Sequence, residues 1–318
     1  MTAPTPSDDP SDGRIRAGPV TVPAQIDGRE RPPCYRAGVD DSRLTRAPLP
    51  VATPPIETPE TGPLAVVWLG RLPYREAWTL QKRIAEERAR GAIGDVLLLV
   101  EHEPVLTLGR HADESHVRAT AAELERRGIE LIRVERGGEV TYHGPGQLVA
   151  YPVVALSRRG LLLRPLVRAL EAAMVETCAA SGVAAARREG HPGCWVDPDG
   201  PRPRKIGALG IRVERGVSYH GIALNVDPVL ADFDLIDACG MPDVVSTSVA
   251  LEAGRLAEAP STAAVERAGL VFAGAFARAV GVELQWVAPA AILAGPGEVA
   301  EADASADLRR EPQLAGTR

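Results

Sequence analysis

The chain has 318 residues, of which 45% are apolar and 25% charged; this is ordinary globular composition and excludes a wholly disordered or fibrous protein. Its 36 basic residues fall short of 42 acidic ones, a formal net charge of −6, which argues against a general binder of nucleic-acid phosphates. No run approaches the roughly 18–20 apolar residues that a membrane helix needs. The first thirty residues carry no apolar core after their basic positions, so no secretory signal is expected and the cytoplasm is the expected compartment.

Residues 1–63 hold 13 of the 28 prolines and almost no apolar periodicity. Such a segment cannot bury enough surface to offset its ordering entropy, and a disordered leader is expected there. One domain is expected over residues 64–287, followed by a loose tail over 288–318 rich in Ala, Gly, Glu, Arg and Pro. Within the domain, short apolar runs predict strands at Leu64–Leu69, Val96–Glu101, Val105–Leu108, Ile129–Val134, Leu148–Val154, Lys205–Val213, Val217–Asn225 and Val282–Val287. Longer amphipathic stretches predict helices at Tyr74–Arg90, Arg164–Ser181 and Thr262–Val280. Ser261 is placed to cap the last of these and Gly281 to end it. Glu214-Arg215-Gly216 reads as the turn of a hairpin. Strands outnumber helices and are joined both by hairpins and by helices, which predicts an α+β domain: a mixed β-sheet with flanking helices.

Residues Arg136–Leu148 (RGGEVTYHGPGQL) pack four glycines and a proline into thirteen residues. Such backbone can approach a ligand closely and aim N–H groups at it, or can form a pair of tight turns between strands. It matches no standard nucleotide fingerprint: no G-x-x-x-x-G-K-[ST] is present, and the third glycine position after Gly144 and Gly146 is Val149. A second glycine-bearing strand pair runs from Lys205-Ile206-Gly207-Ala208-Leu209-Gly210 to Ser218–Asn225, and glycines inside strands often mark a close approach by another group. Tyr142-His143-Gly144 and Tyr219-His220-Gly221 repeat one tripeptide. As metal ligands their histidines lack partners at any recognised spacing, so neither a metal nor a cofactor is expected.

The four cysteines (34, 178, 194 and 239) form no C-x-x-C and are expected to be thiols. Cys178 continues the stripe Leu166, Leu170, Met174 and reads as core. Cys194 opens a short strand and also suits a core. Cys239 stands in the turn-forming stretch Ala238-Cys239-Gly240-Met241-Pro242, where exposure favours reactivity. Of the 36 basic residues only Lys82 and Lys205 are lysines. A lysine beside a thiol can favour the thiolate by its charge or, desolvated and neutral, take the thiol proton. Either route yields a nucleophile suited to a thioester, and the acyl-cysteine formed keeps that reactivity for an amine to use.

Three segments resemble the lipoyl(octanoyl) transferase family: Arg136–Pro152 (RGGEVTYHGPGQLVAYP), Lys205–Asn225 (KIGALGIRVERGVSYHGIALN) and Ala238-Cys239-Gly240. Glu101–Arg110 and Gly193–Val196 add weaker support. The resemblance implies the catalytic fold of the biotin and lipoate protein ligases. It also implies transfer of octanoyl from octanoyl-acyl carrier protein to a lysine of lipoate-dependent domains. The acceptors would be the lipoyl domains of 2-oxoacid dehydrogenases and the glycine cleavage H protein. On this resemblance Cys239 accepts the acyl group and Lys205 lowers its pKa. The resemblance also implies that the acyl site is lined by Arg136, Gly137, Gly138, Glu139, Val140, Thr141, Tyr142 and His143, by Ala208, Leu209 and Gly210, and by Gly221, Ile222 and Ala223. Ala238 stands where the family usually carries proline. Two alternatives stay open from sequence: an ATP-dependent lipoate or biotin ligase of the same fold, although the GRGRxG of biotin ligases is absent, and a non-catalytic scaffold that binds acyl carriers or lipoyl domains. An acidic carrier needs a basic landing patch, for which Arg158, Arg159 and Arg164 are candidates.

Overall fold

The structure, a computed structural model, describes residues 62–237, 244–256 and 259–293. The expected leader and Cys239 lie outside them. Strand β1 (Leu64–Leu72) is followed by helix α1 (Tyr74–Ala89), then by β2 (Val96–His102) and β3 (Val105–Leu108). Helix α2 (Ala121–Arg127) and strands β4 (Glu130–Arg133), β5 (Val140–His143) and β6 (Gln147–Val153) come next. Helix α3 (Leu163–Ala179) leads into β7 (Ala186–Arg188), β8 (His191–Val196), β9 (Arg204–Glu214) and β10 (Val217–Asn225). The chain continues through β11 (Val245–Ser246), α4 (Val249–Glu252), α5 (Thr262–Val280), β12 (Leu284–Trp286) and α6 (Pro289–Leu293).

Among the described residues the main sheet has nine strands in the order β12-β1-β2-β6-β10-β9-β8-β7, with β11 added to β9. It is mixed, as expected: β1 is parallel to β2 and β12, and β11 to β9, whereas β2-β6-β10-β9-β8 are antiparallel. A separate three-stranded sheet has the order β4-β3-β5.

Two apolar layers enclose the main sheet. Leu166, Leu170 and Met174 of α3 and Phe272 and Phe276 of α5 pack on one face against Leu97, Leu148, Ile222 and Leu224. Cys178 and Cys194 are fully buried in this layer, as their sequence contexts suggest. On the other face, Ala77, Leu80 and Ile84 of α1 cover Val67, Leu98, Val149, Tyr151 and Ala223. The small sheet joins this second side, where Tyr74 of α1 packs with Val105, Ile132 and Val134.

Of the tail expected over 288–318, only residues 288–293 are described, and they pack on the domain. Pro289–Leu293 form α6, Ile292 packs against the layer under α1, and the Arg83 guanidinium bonds the Ile292 carbonyl. Five residues are too few to show a helical period. Helix α2 was also missed. It buries a single apolar side chain, Leu124, yet its caps are legible: the Thr120 hydroxyl accepts from Glu123 N at 3.2 Å, and Gly128 ends it at φ 65°. Where both caps and a full stripe exist, the expectation holds to the residue: α5 runs Thr262–Val280, with Ser261 accepting from Ala264 N and Gly281 at φ 70°.

Candidate active site

The site forms where the small sheet stands over β6, β10 and β9. Its first component is a set of strands whose side chains are small enough to leave a groove. Ala223 faces Ala208, and Gly221 faces Gly210, across the β10–β9 ladder. The absence of side chains at the glycines is a packing requirement. A Cβ on Gly221 would lie 2.0 Å from the Ala150 carbonyl oxygen, and one on Gly210 would lie 2.6 Å from that of Gly137. Gly137 N in turn donates to the Ile211 carbonyl at 3.2 Å, so the glycine-rich segment docks by backbone directly on β9. We expect Gly221→Ala to lower unfolding stability by about 3 kcal/mol, because β6 and β10 must separate to admit the methyl group. Urea denaturation reads this directly, and a midpoint equal to that of the parent chain would contradict the packing described.

The groove is lined by Arg136, Gly138, Glu139, Val140, Thr141 and His143 from one side and by Ala208–Gly210 and His220–Ala223 from the other. Most of the acyl-site residues expected by resemblance are thus brought together. Two are not. Tyr142 points away from the groove: its hydroxyl donates to Asp232 Oδ2 at 2.8 Å and its ring packs edge-on to Phe233. Strand alternation within β5 dictates this, since Tyr142 lies between Thr141 and His143. Gly137 serves as the backbone contact to β9 and also does not line the groove. Arg136 lines it, but its guanidinium is engaged in structure, donating to the Thr107 carbonyl at 2.7 Å and hydroxyl at 2.8 Å. The tight turn after β5 is Gly144-Pro145-Gly146, with Gly146 at φ 85° and its N–H donating to Glu101 Oε1 at 2.6 Å.

Lys205 sits at one end of this groove. It is 8% exposed, and its ammonium lies 5.1 Å from the centre of the buried Trp195 ring. It faces a small cavity lined also by Thr141, Gln147, Ala208, Ala223, Asn225, Phe233 and Ser246. Thr141, Ala208 and Ala223 line both spaces, so the Lys205 cavity and the groove are adjacent. A chain of polar contacts fixes this end. Gln147 Oε1 accepts from His143 Nδ1 at 2.7 Å, Gln147 Nε2 donates to Asn225 Oδ1 at 2.9 Å, and Asn225 Nδ2 donates to the Thr247 carbonyl at 2.9 Å. Thr247 N then donates to the Lys205 carbonyl at 2.9 Å. Neither Gln147 nor Asn225 was singled out from sequence, where a lone amide inside an apolar strand carries no distinguishing signal.

Phe233 precedes the undescribed residues 238–243 and Ser246 follows them, and both border the Lys205 cavity. Among the described cysteines, Cys178 and Cys194 are buried in the α3 layer. The neighbouring Cys178 thiol, and then burial, push the Cys194 thiol upward, away from thiolate. Of the three arginines proposed as a carrier patch, Arg159 is excluded: only 7% of its side chain is exposed, and it pairs with the buried Asp95.

Away from Lys205 the groove meets five packed rings, Tyr74, His102, His143, Tyr151 and His220, of which His143 reaches back to Gln147 at the lysine end. Tyr151 donates its hydroxyl to His102 Nε2 at 2.7 Å, and His102 Nδ1 donates to the Leu72 carbonyl at 3.0 Å. Burial holds all three histidines below their usual range, His102 at about 4. A histidine depressed in the folded state stabilises fully above its unfolded pKa near 6.5 and loses that contribution as pH falls towards its folded value. His102 alone should therefore remove about 2 kcal/mol of stability between pH 7 and pH 5. Urea unfolding at the two pH values measures it, and His102→Gln should flatten that part of the slope. An unchanged slope in the variant would contradict the assignment. Among the described residues no group of three or more His, Cys, Asp or Glu is arranged to hold a metal ion, and no helix is long and apolar enough to cross a membrane.

A mixed sheet with a glycine-lined groove ending on a buried lysine defines the class, and sequence comparison agrees: the lipoyl protein ligase A/B catalytic domain family matches residues 73–254. An octanoyltransferase of Chloroflexus aurantiacus is 47% identical over 203 residues, covering 64% of this chain and 88% of that protein. One from Mycolicibacterium gilvum is 46% identical over 196 residues, covering 61% and 79%. A bipartite lipoate protein ligase from Thermoplasma acidophilum, described with its E2 lipoyl domain, superposes with a TM-score of 0.52 at 15% identity, covering 81% of this chain and 100% of that one. That last likeness speaks to the fold alone. The chain belongs to the lipoyl protein ligase A/B catalytic domain family and, within it, to the octanoyltransferases; it is an acyltransferase.

Proposed function

We propose that this enzyme takes octanoyl from the thioester of an acyl carrier protein and passes it to a lysine of a lipoyl domain through a thioester on Cys239. The acceptors in this reading are the lipoyl domains of 2-oxoacid dehydrogenases and the glycine cleavage H protein, and the reaction takes place in the cytoplasm. The observation that carries it is the placement of Lys205: a buried ammonium at the head of a groove, with residues from both sides of the Cys239 segment bordering its cavity. Cys239 stands only two residues beyond Asp237, the last described position before it.

The chemistry balances without a further reactant. Lys205 in its neutral amine form takes the thiol proton, Cys239 Sγ attacks the thioester carbonyl, and the carrier's thiolate leaves and takes that proton from the Lys205 ammonium. The acceptor's amine then attacks the acyl-cysteine, the Cys239 thiolate departs, and the amine's surplus proton returns to the Lys205 side. Backbone N–H groups of the glycine-bearing strands are suited to stabilise the tetrahedral oxyanion. The groove has a volume of about 50 Å³.

A ligase reading would need ATP, so cofactor dependence separates the two. Purified enzyme given octanoyl-carrier thioester and a lipoyl domain, without ATP or magnesium, should octanoylate the domain. Transfer seen only with free octanoate, ATP and magnesium would replace this reading with the ligase, and binding of both proteins without transfer under either condition would leave a scaffold.

A further inference from the structure

We infer that the rings of Tyr74, His102, Tyr151 and His220, with His143 bridging from them to Gln147 at the lysine end, form the closed end of the acyl groove and set the longest chain that the enzyme transfers. The inference rests on the functional reading above and concerns residues outside the lysine end, of which the sequence motifs singled out only the two histidines of the Tyr-His-Gly repeats.

The direction of the groove follows from its lining. Asn225, Ala223, Gly221 and His220 succeed one another along β10, and the first two border the Lys205 cavity while the last two border only the far part. Gln147 and Tyr151 mark the same two ends on the paired strand β6. From Asn225 to His220 is five residues of strand, about 16 Å at 3.3 Å per residue. The lysine side chain, a thioester and an extended eight-carbon chain share that span, which brings the tail's methyl end to the rings.

The stop is polar and rigid. Tyr74 is 3% exposed and Tyr151 is also 3% exposed, and the three histidines are buried and neutral. Most of their polar atoms are tied to one another, to Gln147 or to backbone: Tyr151 to His102, His102 to the Leu72 carbonyl, His143 to Gln147, and Tyr74 to His220 at 3.5 Å, while His220 Nε2 has no hydrogen-bond partner and lies 3.8 Å from Glu135 Oε1. His220 holds φ at 56°, a left-handed backbone that a side chain rarely adopts, and its N–H is held by Gln81 Oε1 at 2.9 Å. Strain of this kind persists only where the surroundings over-determine it. An apolar wall discriminates one methylene by roughly 10–200-fold. Here a longer tail must also part hydrogen-bonded groups and leave them unpaired, so the fall in rate beyond the fitting length is steeper than a purely apolar pocket gives.

Octanoyl-, decanoyl- and dodecanoyl-carrier thioesters supplied together in equal amounts, with the acyl group on the lipoyl domain read by mass spectrometry, test this. Tyr74→Ala, which opens the stop, should raise the ratio of longer to octanoyl product at least tenfold. His220→Gly, whose backbone suits the left-handed conformation, should do the same. Leu80→Ala loosens the same α1 packing without lining the groove and should leave the ratio unchanged. Wild-type preference in either folded, active stop variant, or an equal shift in Leu80→Ala, overturns the inference while the functional reading stands. Failure of the wild-type chain to transfer any acyl length removes the functional reading, and this inference with it.

Discussion

Lys205→Arg should lose at least about a hundredfold in turnover, the lower end of what a positioned proton-transfer group contributes. The substitution keeps the charge, so a purely electrostatic account predicts a modest effect. The structure argues otherwise. Lys205 is 8% exposed, packed over Trp195 and seated in a cavity of about 20 Å³. A planar guanidinium is bulkier than an ammonium and does not release a proton near neutral pH. Both the geometry and any proton-accepting role are lost together. Steady-state transfer of octanoyl to a lipoyl domain measures the change, and near-parental turnover would remove Lys205 from the mechanism.

Cys239→Ser should abolish turnover, although it changes one atom. A serine hydroxyl beside a lysine remains protonated where a thiol is already a few per cent thiolate at about pH 7. An oxygen ester, if formed, is also a poorer acyl donor to an amine than a thioester. The two described cysteines offer no substitute nucleophile: Cys194 is held protonated in the core, and Cys178 is fully buried on the inner face of α3. Residual turnover within tenfold of the parent would mean that transfer proceeds directly from carrier to acceptor.

The sheet was legible wherever a strand carried a continuous apolar run. β2 and β10 were found nearly to the residue, and Arg215 and Gly216 at φ 49° and 78° make the hairpin turn expected of them. Strand β5 was not, because it has four residues inside a glycine-rich segment and its partner β3 is more than thirty residues away. The site was legible at its lysine end through rare residue types: two lysines among 36 basic residues, and glycines inside strands. Its far end was not. His102, Tyr151 and Tyr74 sit in three different elements, and only the pairing of β2 with β6 and the packing of α1 on β10 bring their rings together. Tyr142, flagged by the motif, is turned away by strand alternation, a two-residue periodicity that the motif itself obscures.

The central claim is a covalent octanoyl-enzyme on one sulfur. Incubation of the purified chain with octanoyl-carrier thioester, in the absence of any acceptor, followed by intact and peptide mass spectrometry, should show one octanoyl group on the peptide containing Cys239, absent in Cys239→Ser and discharged on adding a lipoyl domain. An adduct that persists in Cys239→Ser and maps to Cys178 or Cys194, or an enzyme that turns over with no adduct at all, would contradict it.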